Sequence, residues 1–226
     1  MMPGLFGVIA DGWGGIPTDY LFYYTMDNIS GTTLNDEGGT YNGTIGGATT
    51  SAGIDGNALS FDGVNDSVVT DLTAESNLTA LAVSVWVKVD DDSSNRFIFG
   101  HGGEADPNGQ RFIATVFNDD SVIFDIDNAE TGRISAAFPP ARFGLWTHLV
   151  FTYDGTTQAI YESGALLNSR TQAGLSLDYT INLRLGSYEK RNSPFTVYYA
   201  NVELDQFRHY RRGLTTDEIA ALAAEF

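Results

Sequence analysis

Valine or leucine occupies every second position between Leu81 and Val89. This period-two alternation is typical of a β-strand that has one buried face. Shorter runs of β-branched and aromatic residues follow one another along the rest of the chain, and Gly, Asp and Asn separate them. These runs are 20–26, 58–61, 67–70, 97–99, 111–117, 121–126, 147–153, 158–162, 183–186 and 202–210. About a dozen short strands with regular turns predict an all-β chain in which two antiparallel sheets pack face to face.

Two local signals refine this prediction. Asp154-Gly155 lies between two of the strand-like runs and is a strong β-hairpin signal. Near the end of the chain, Thr215 and Glu218 have the spacing of a helical capping box, and the helix-prone run 219–224 follows them. The sequence therefore predicts one short C-terminal helix beside the two sheets.

The chain is strongly acidic, with 29 Asp and Glu against 12 Lys and Arg and a formal net charge of −17. Such a charge repels a phosphate backbone and excludes a nucleic-acid binder. No apolar run approaches the length of a transmembrane helix, so we expect no insertion into a membrane. Cysteine is absent, which excludes disulfides and thiolate chemistry. The acidity favours either a saline habitat or a surface that simply repels its neighbours.

Residues 1–19 differ in character from the rest of the chain. Apolar side chains are scattered among glycines there without periodicity, and such side chains usually need a surface to cover them. We predict an N-terminal arm at 1–19 and one domain at 20–226. The arm is expected either to lie on its own domain or to attach to a partner subunit in an oligomer. The first residues lack the basic region and apolar length of a secretory signal.

Five segments, in this order along the chain, resemble laminin-G-like, concanavalin A-type jelly-roll domains. They are YTMD with YNGT in 24–44, GNALSFDGVND at 56–66, VSVWVK at 83–88, WTHLVFTYDGTT at 146–157, and LDQFRHYRRGLT with the following Glu-Ile in 204–219. The resemblance covers 20–226 and implies a two-sheet antiparallel jelly-roll sandwich. It also implies a lectin-like binding role, in which such domains commonly hold calcium and engage glycans or protein surfaces. We expect Trp86 and Trp146 to be buried between the two sheets.

Catalysis is the first functional alternative, because related jelly rolls include glycoside hydrolases. Those enzymes place Glu-x-Asp-x-x-Glu on one strand, and a retaining mechanism needs two carboxyl groups about 5 Å apart. The nearest match here contains Asp125, Asp127 and Glu130, with Asp in place of the nucleophilic Glu. We interpret it as the aqueous side of a strand. His148 and His209 lie mid-strand without a nucleophile or metal partner at usable spacing and are interpreted as structural. The sequence predicts no enzyme.

A polar, glycine-rich loop at 101–111 is the predicted ligand-binding site, because long loops often carry function. Its candidate contacts are His101, Glu104, Asp106 and Asn108. The alternative is a surface loop without a ligand.

Calcium is the cofactor that the resemblance implies, since Ca²⁺ takes six to eight oxygen ligands. Asp62 and Asp205 stand at positions that are rich in oxygen ligands in the family, and Asp27 and Asp36 are further candidates. Each of these residues could equally organise a turn.

Three functional hypotheses are compatible with these features. We favour a structural or decoration protein on a virion surface that attaches to host glycans, with the arm contacting other virion subunits. The alternative is a carbohydrate-binding adhesion module of a secreted or cell-surface protein, and the third is an enzyme. The first two place the domain on an exterior surface.

Overall fold

A computed structural model describes residues 15–90, 96–102, 110–117, 119–128, 132–190 and 196–226, without the side chains of 110, 127 and 128. These residues form short strands and one α-helix. The strands are β1 (Phe22–Tyr24), β2 (Ile29–Ser30), β3 (Thr33–Leu34), β4 (Gly43–Gly46), β5 (Thr49–Ala52), β6 (Asn57–Asp62), β7 (Ser67–Thr70), β8 (Glu75–Leu78), β9 (Leu81–Val89), β10 (Arg96–Gly102), β11 (Gln110–Val116), β12 (Ser121–Asn128), β13 (Arg133–Ala137), β14 (Trp146–Tyr153), β15 (Thr157–Glu162), β16 (Ala165–Thr171), β17 (Leu177–Tyr179), β18 (Arg184–Leu185), β19 (Ser187–Lys190), β20 (Thr196–Tyr199) and β21 (Asn201–Tyr210). The helix α1 is Thr216–Ala223, and a 3₁₀ turn spans Pro140–Arg142.

Two large antiparallel sheets contain most of these strands. The eight-stranded sheet has the order β16-β15-β14-β9-β21-β6-β5, and β1 pairs with β21 beside this path. The nine-stranded sheet has the order β13-β12-β11-β10-β18-β7-β4-β3-β2. Two small two-stranded sheets, β8 with β17 and β19 with β20, complete the described part. The predicted two-sheet antiparallel sandwich is confirmed.

The core lies between the inner faces of the two large sheets. The odd-numbered residues of β9 are fully buried there, as their alternation predicted. Aromatic rings from both sheets meet across the middle, with Phe99 in edge contact with Phe151 at a centroid distance of 5.7 Å and packed on Phe112 at 4.6 Å. Burying side chains of this size contributes about 1.5–3 kcal/mol each to folding.

Helix α1 covers part of the outer face of the eight-stranded sheet. Its capping box is formed as predicted, because the Thr215 hydroxyl accepts a hydrogen bond from the Glu218 backbone N–H while the Glu218 carboxylate accepts one from the Thr215 N–H. Ile219 and Leu222 then pack in a small apolar cluster that includes Tyr210.

The predicted position of the two tryptophans between the sheets is wrong. Trp86 is buried, but it lies outside the inter-sheet core, and its ring packs on His148 at a centroid distance of 5.3 Å. Trp146 is half-buried at the start of β14. The alternation of β9 explains the difference, because the valines that face the core leave Trp86 on the opposite face of the strand.

The part of the N-terminal segment that the structure describes, 15–19, lies beside the end of β21. The Tyr210 hydroxyl donates a hydrogen bond to the Pro17 carbonyl at 3.3 Å, and Arg212 forms an ion pair with Asp19 at 2.7 Å. The rest of the predicted arm, residues 1–14, lies outside the described residues. No helix in the described ranges has the length and apolarity to span a bilayer.

Candidate functional site

A groove of about 180 Å³ opens on the outer face of the nine-stranded sheet. The side chains of β11 and β12 alternate between the two faces of the sheet. Phe112 and Phe124 point into the core, so their neighbours in sequence point outward and form the floor of the groove. The outward residues that line the groove include Ile113, Thr115, Ile123 and Asp125. The groove is therefore a direct consequence of two adjacent strands that each have one apolar and one mixed face.

An aromatic wall borders this floor. The β19–β20 hairpin places the rings of Tyr188 and Tyr198 9° from parallel, with centroids 6.4 Å apart, and Phe97 packs on Tyr188 at 5.3 Å. Gly100 permits this approach, since a Cβ there would lie 2.8 Å from Cδ2 of Tyr188. Tyr198 is 40% exposed and so presents its ring to a ligand.

Asp125 holds two arginines at the centre of the groove. Its Oδ2 accepts hydrogen bonds from Nη2 and Nε of Arg111 at 2.6 and 3.1 Å and from Nη2 and Nε of Arg133, both at 3.2 Å. The Arg111 side chain is 4% exposed, whereas that of Arg133 is 36% exposed. Burial raises the pKa of the Asp125 carboxyl, and the two guanidinium groups oppose that rise.

The second carboxylate oxygen of Asp125, Oδ1, is buried and has no hydrogen-bond partner among the described residues. A buried acceptor without a partner costs about 1–3 kcal/mol, and a ligand hydroxyl in the groove would satisfy it. The sequence correctly placed Asp125 on the outer face of its strand, but this side chain is buried rather than aqueous. The side chain of Asp127 and all of Glu130 lie outside the described residues.

The first residue of the predicted ligand-binding loop lies in a strand. His101 belongs to β10 and is fully buried, with its ring 4.9 Å from that of Tyr179. Burial lowers the pKa of His101 to about 3, although the nearby Glu75 charge opposes the shift. The prediction that His101 is a loop residue open to a ligand is therefore corrected. Glu104, Asp106 and Asn108 lie outside the described residues.

Asp62 and Asp205, the predicted calcium ligands, organise two different turns. Oδ1 of Asp62 accepts the N–H of Val64 at 2.8 Å within its own turn. Oδ2 of Asp205 accepts the N–H of Ile54 at 2.9 Å, and burial raises the pKa of Asp205 to about 6. Within the described ranges, no three acidic or histidine side chains converge to hold a metal. The two carboxylates therefore do not fit a shared calcium cage.

Asp27 and Asp36 also bind protein donors. The Asp36 carboxylate accepts four backbone N–H groups at 2.9–3.1 Å, from Tyr23, Gly38, Thr40 and Tyr41. Oδ1 of Asp27 accepts the backbone and side-chain N–H groups of Asn57 at 2.9 and 2.6 Å. These contacts match the turn-organising alternative that the sequence left open.

The two mid-strand histidines are buried, as expected for structural residues. Nε2 of His148 lies 2.9 Å from the Ser84 hydroxyl, and Nε2 of His209 lies 3.1 Å from the Glu75 carboxylate. Burial lowers the pKa of His148 to about 3.

Solved structures with the same fold include carbohydrate-related proteins. Domain 4 of AbnA, an extracellular arabinanase from Geobacillus stearothermophilus solved with arabinotriose, is 22% identical with a TM-score of 0.68, covering 91% of this chain and 98% of that one. The binding domain of Paraclostridial Mosquitocidal Protein 1 is 15% identical with a TM-score of 0.67, covering 92% and 52%. A mutant Trypanosoma rangeli sialidase is 15% identical with a TM-score of 0.70, covering 93% and 33%. At these identities the likeness shows the fold alone.

Sequence comparison gives a relative and a family. The human Adhesion G-protein coupled receptor D1 is 28% identical over 141 residues, which are 61% of this chain and only 15% of the receptor. The family model described as the concanavalin A-like lectin/glucanases superfamily matches residues 62–220. This match confirms the resemblance seen in the sequence motifs, and the chain belongs to the concanavalin A-like lectin/glucanase superfamily.

Proposed function

We propose that this chain is a non-enzymatic carbohydrate-binding module whose ligand lies in the groove on the outer face of the nine-stranded sheet. One observation carries the proposal: Oδ1 of Asp125, which is buried and has no hydrogen-bond partner in the part of the chain that the structure describes, lines a groove that also has an aromatic wall. Small-molecule sites typically combine apolar and aromatic lining with a few placed polar groups. Membership in the concanavalin A-like lectin/glucanase superfamily, and a neighbour solved with arabinotriose, support a sugar as the ligand.

The groove offers each kind of contact that a sugar ring needs. The exposed ring of Tyr198 offers an apolar surface for the C–H face of a pyranose or furanose. Oδ1 of Asp125 accepts a hydrogen bond from a sugar hydroxyl, and the half-exposed Arg133 donates to sugar oxygens. A hydrogen bond from the sugar to Oδ1 of Asp125 therefore adds to the binding free energy that comes from burying apolar surface.

We propose binding rather than hydrolysis because of how the carboxylates are used. A retaining glycosidase needs two carboxyl groups about 5 Å apart, one as nucleophile and one as acid. Among the described side chains that line the groove, Asp125 is the single carboxylate, and two guanidinium groups bind its Oδ2. That oxygen is engaged in ion pairs rather than directed at a substrate carbon.

A glycan array with the whole chain, followed by titration of the best ligand, tests the proposal. We expect Tyr198→Ala to weaken binding about tenfold, because losing a stacked ring costs on the order of 1 kcal/mol or more. Tyr199→Ala is the matched control, since this neighbouring tyrosine points to the other face of the hairpin. Equal losses in both variants, or no glycan bound, would refute the site. Analysing the bound glycan for cleavage products tests the absence of hydrolysis.

We propose that the module lies on an exterior surface, with a virion surface as the favoured case, because attachment to a partner subunit is one of the two ways in which the apolar residues of 1–19 could be covered. Light scattering on the full chain and on residues 20–226 measures whether that segment drives oligomerisation, and two identical monomers would contradict it. Calcium dependence stays a prediction, which titration with and without a chelator tests.

A further inference from the structure

The strand register arranges part of the groove floor in two rows. Phe97 of β10 lies opposite Thr115 of β11, which lies opposite Ile123 of β12, and these three residues form the apolar row. Two positions further along β12, Asp125 lies opposite Arg133 of β13. Successive outward residues of an antiparallel strand are about 6.8 Å apart, so the apolar row and Asp125 are separated by a distance that one sugar ring with its substituents can span.

The apolar row is suited to bury a methyl group of a ligand. Phe97 belongs to the aromatic wall, and its ring centroid lies 5.5 Å from that of Tyr198. The Thr115 hydroxyl donates a hydrogen bond to the backbone carbonyl of Arg96 at 2.8 Å. Ile123 presents an aliphatic side chain that is 7% exposed. Burying a methyl group on these side chains is favourable, whereas Phe97 and Ile123 can accept no hydrogen bond from a hydroxyl group in the same place.

We infer that the groove takes a sugar that carries a methyl group, either a 6-deoxyhexose or an N-acetylated hexosamine. This inference rests on the function proposed above, because it names the class of sugar that the same groove binds. The methyl group lies on Phe97 and Ile123, and a ring hydroxyl donates a hydrogen bond to Oδ1 of Asp125. The two contacts hold different ends of the sugar ring, so together they fix its orientation in the groove.

Pairs of sugars that differ at this methyl group test the inference on the whole chain. L-fucose is compared with L-galactose, and L-rhamnose with L-mannose, because the second sugar of each pair has a hydroxyl group on the same carbon. N-acetylglucosamine is compared with N-formylglucosamine, which lacks the methyl group. We expect the methyl-bearing member of at least one pair to bind about fivefold more tightly, because the apolar row buries a methyl group more favourably than a hydroxyl group or a hydrogen atom. The pair with the largest affinity ratio distinguishes a 6-deoxy sugar from an N-acetylated one.

Two isoleucines on neighbouring strands provide a matched pair of variants. Ile123→Thr should bring the affinity ratio of that pair of sugars towards one, because it places a hydroxyl group in the apolar row. Ile134 is 6% exposed, against 7% for Ile123, but it belongs to the inter-sheet core, so Ile134→Thr should leave the ratio unchanged. Partial unfolding weakens the apparent affinity for both sugars equally, so the ratio does not depend on the stability of the variant. If Ile123→Thr does not fold, Ile123→Val removes a single methyl group and should lower the ratio by a smaller amount.

The outcomes separate this inference from the proposed function. Methyl-free sugars that bind as tightly as their methyl-bearing partners would overturn the inference and leave the proposed function standing. An unchanged ratio in the folded Ile123 variant, or an equal change in Ile134→Thr, would also overturn it. Failure of every sugar to bind would refute the proposed function itself.

Discussion

Arg111 and Arg133 bond the same oxygen of Asp125, yet we predict very different consequences when each is replaced by methionine. Methionine keeps most of the aliphatic length and removes the charge. Arg111 is 4% exposed, so Arg111→Met removes a cation from a buried pair. Arg133 is 36% exposed, so Arg133→Met removes a cation that water already solvates in part.

The expected magnitudes follow from this difference in burial. Removing one partner of a buried ion pair typically costs about 3–5 kcal/mol. Arg133 remains on Asp125 in the Arg111→Met variant, which places the expected loss near the lower end, at about 3 kcal/mol. An exposed pair is worth about 0–1 kcal/mol, so Arg133→Met should lose no more than about 1 kcal/mol.

Urea unfolding of both variants and the parent chain measures these losses in free energy, and thermal unfolding measures the corresponding shifts in Tm. For a chain of this size, each kcal/mol shifts Tm by about 2–4 °C, so Arg111→Met should melt about 6–12 °C lower. Arg133→Met should melt within about 4 °C of the parent but bind ligand more weakly. Equal destabilisation by the two variants, or a larger loss in Arg133→Met, would show that burial does not determine how much each arginine contributes to stability.

Three further perturbations probe the fold and the frame of the site. Gly186→Ala should cost about 2–5 kcal/mol, because Gly186 has φ +67 and a Cβ there would lie 2.2 Å from a ring carbon of Phe61. Gly174→Ala, at φ +80 with nothing within 4 Å, should cost only about 1–2 kcal/mol, and equal losses in urea unfolding would exclude the clash. Burial lowers the pKa of His148 to about 3, so the unfolded chain binds the extra proton between about pH 6.5 and 3 and stability falls as the pH falls. His148→Gln should flatten that slope by about 1.4 kcal/mol per pH unit, and an unchanged slope would mean that His148 is protonated in the fold. Gly100→Ala should displace the β19–β20 hairpin and weaken ligand binding, and undiminished affinity in a folded variant would contradict this geometry.

Local sequence patterns were sufficient to predict two antiparallel sheets and one C-terminal helix, and the family resemblance added the jelly-roll arrangement. The alternation in β9 identified a strand with one core face, and Asp154-Gly155 correctly marked the turn between β14 and β15. Thr215 and Glu218 fixed the start of the helix through reciprocal hydrogen bonds. Each of these features depends on residues within about nine positions of one another, which is the range that periodicity and capping rules describe.

The groove could not be predicted in the same way, because it depends on contacts between distant segments. Tyr188 reaches the sheet through the gap at Gly100, and the two residues are far apart in sequence. The signal that was available is Gly100 directly after the strand-like run 97–99, since a glycine within a strand often marks a close approach of another segment. Arg111 and Asp125 on adjacent runs were a second signal, which becomes informative once the pairing of β11 with β12 is known.

The error with Trp86 has a related cause. Its aromatic character suggested a core position, but the face of a strand decides which layer a residue enters. The valines of β9 occupy the core, so Trp86 is buried on the outer face by its contact with His148. A large apolar residue can therefore be buried without lying between the sheets.

Backbone amide chemical shifts, recorded while the best glycan is titrated into the whole chain, test most directly where the ligand binds. We predict that the largest changes fall on Ile113, Thr115, Ile123 and Tyr198, which surround the groove. Changes concentrated instead in the turns at 53–57 and 62–66, with none on β11 and β12, would contradict a ligand site on the outer face of the nine-stranded sheet.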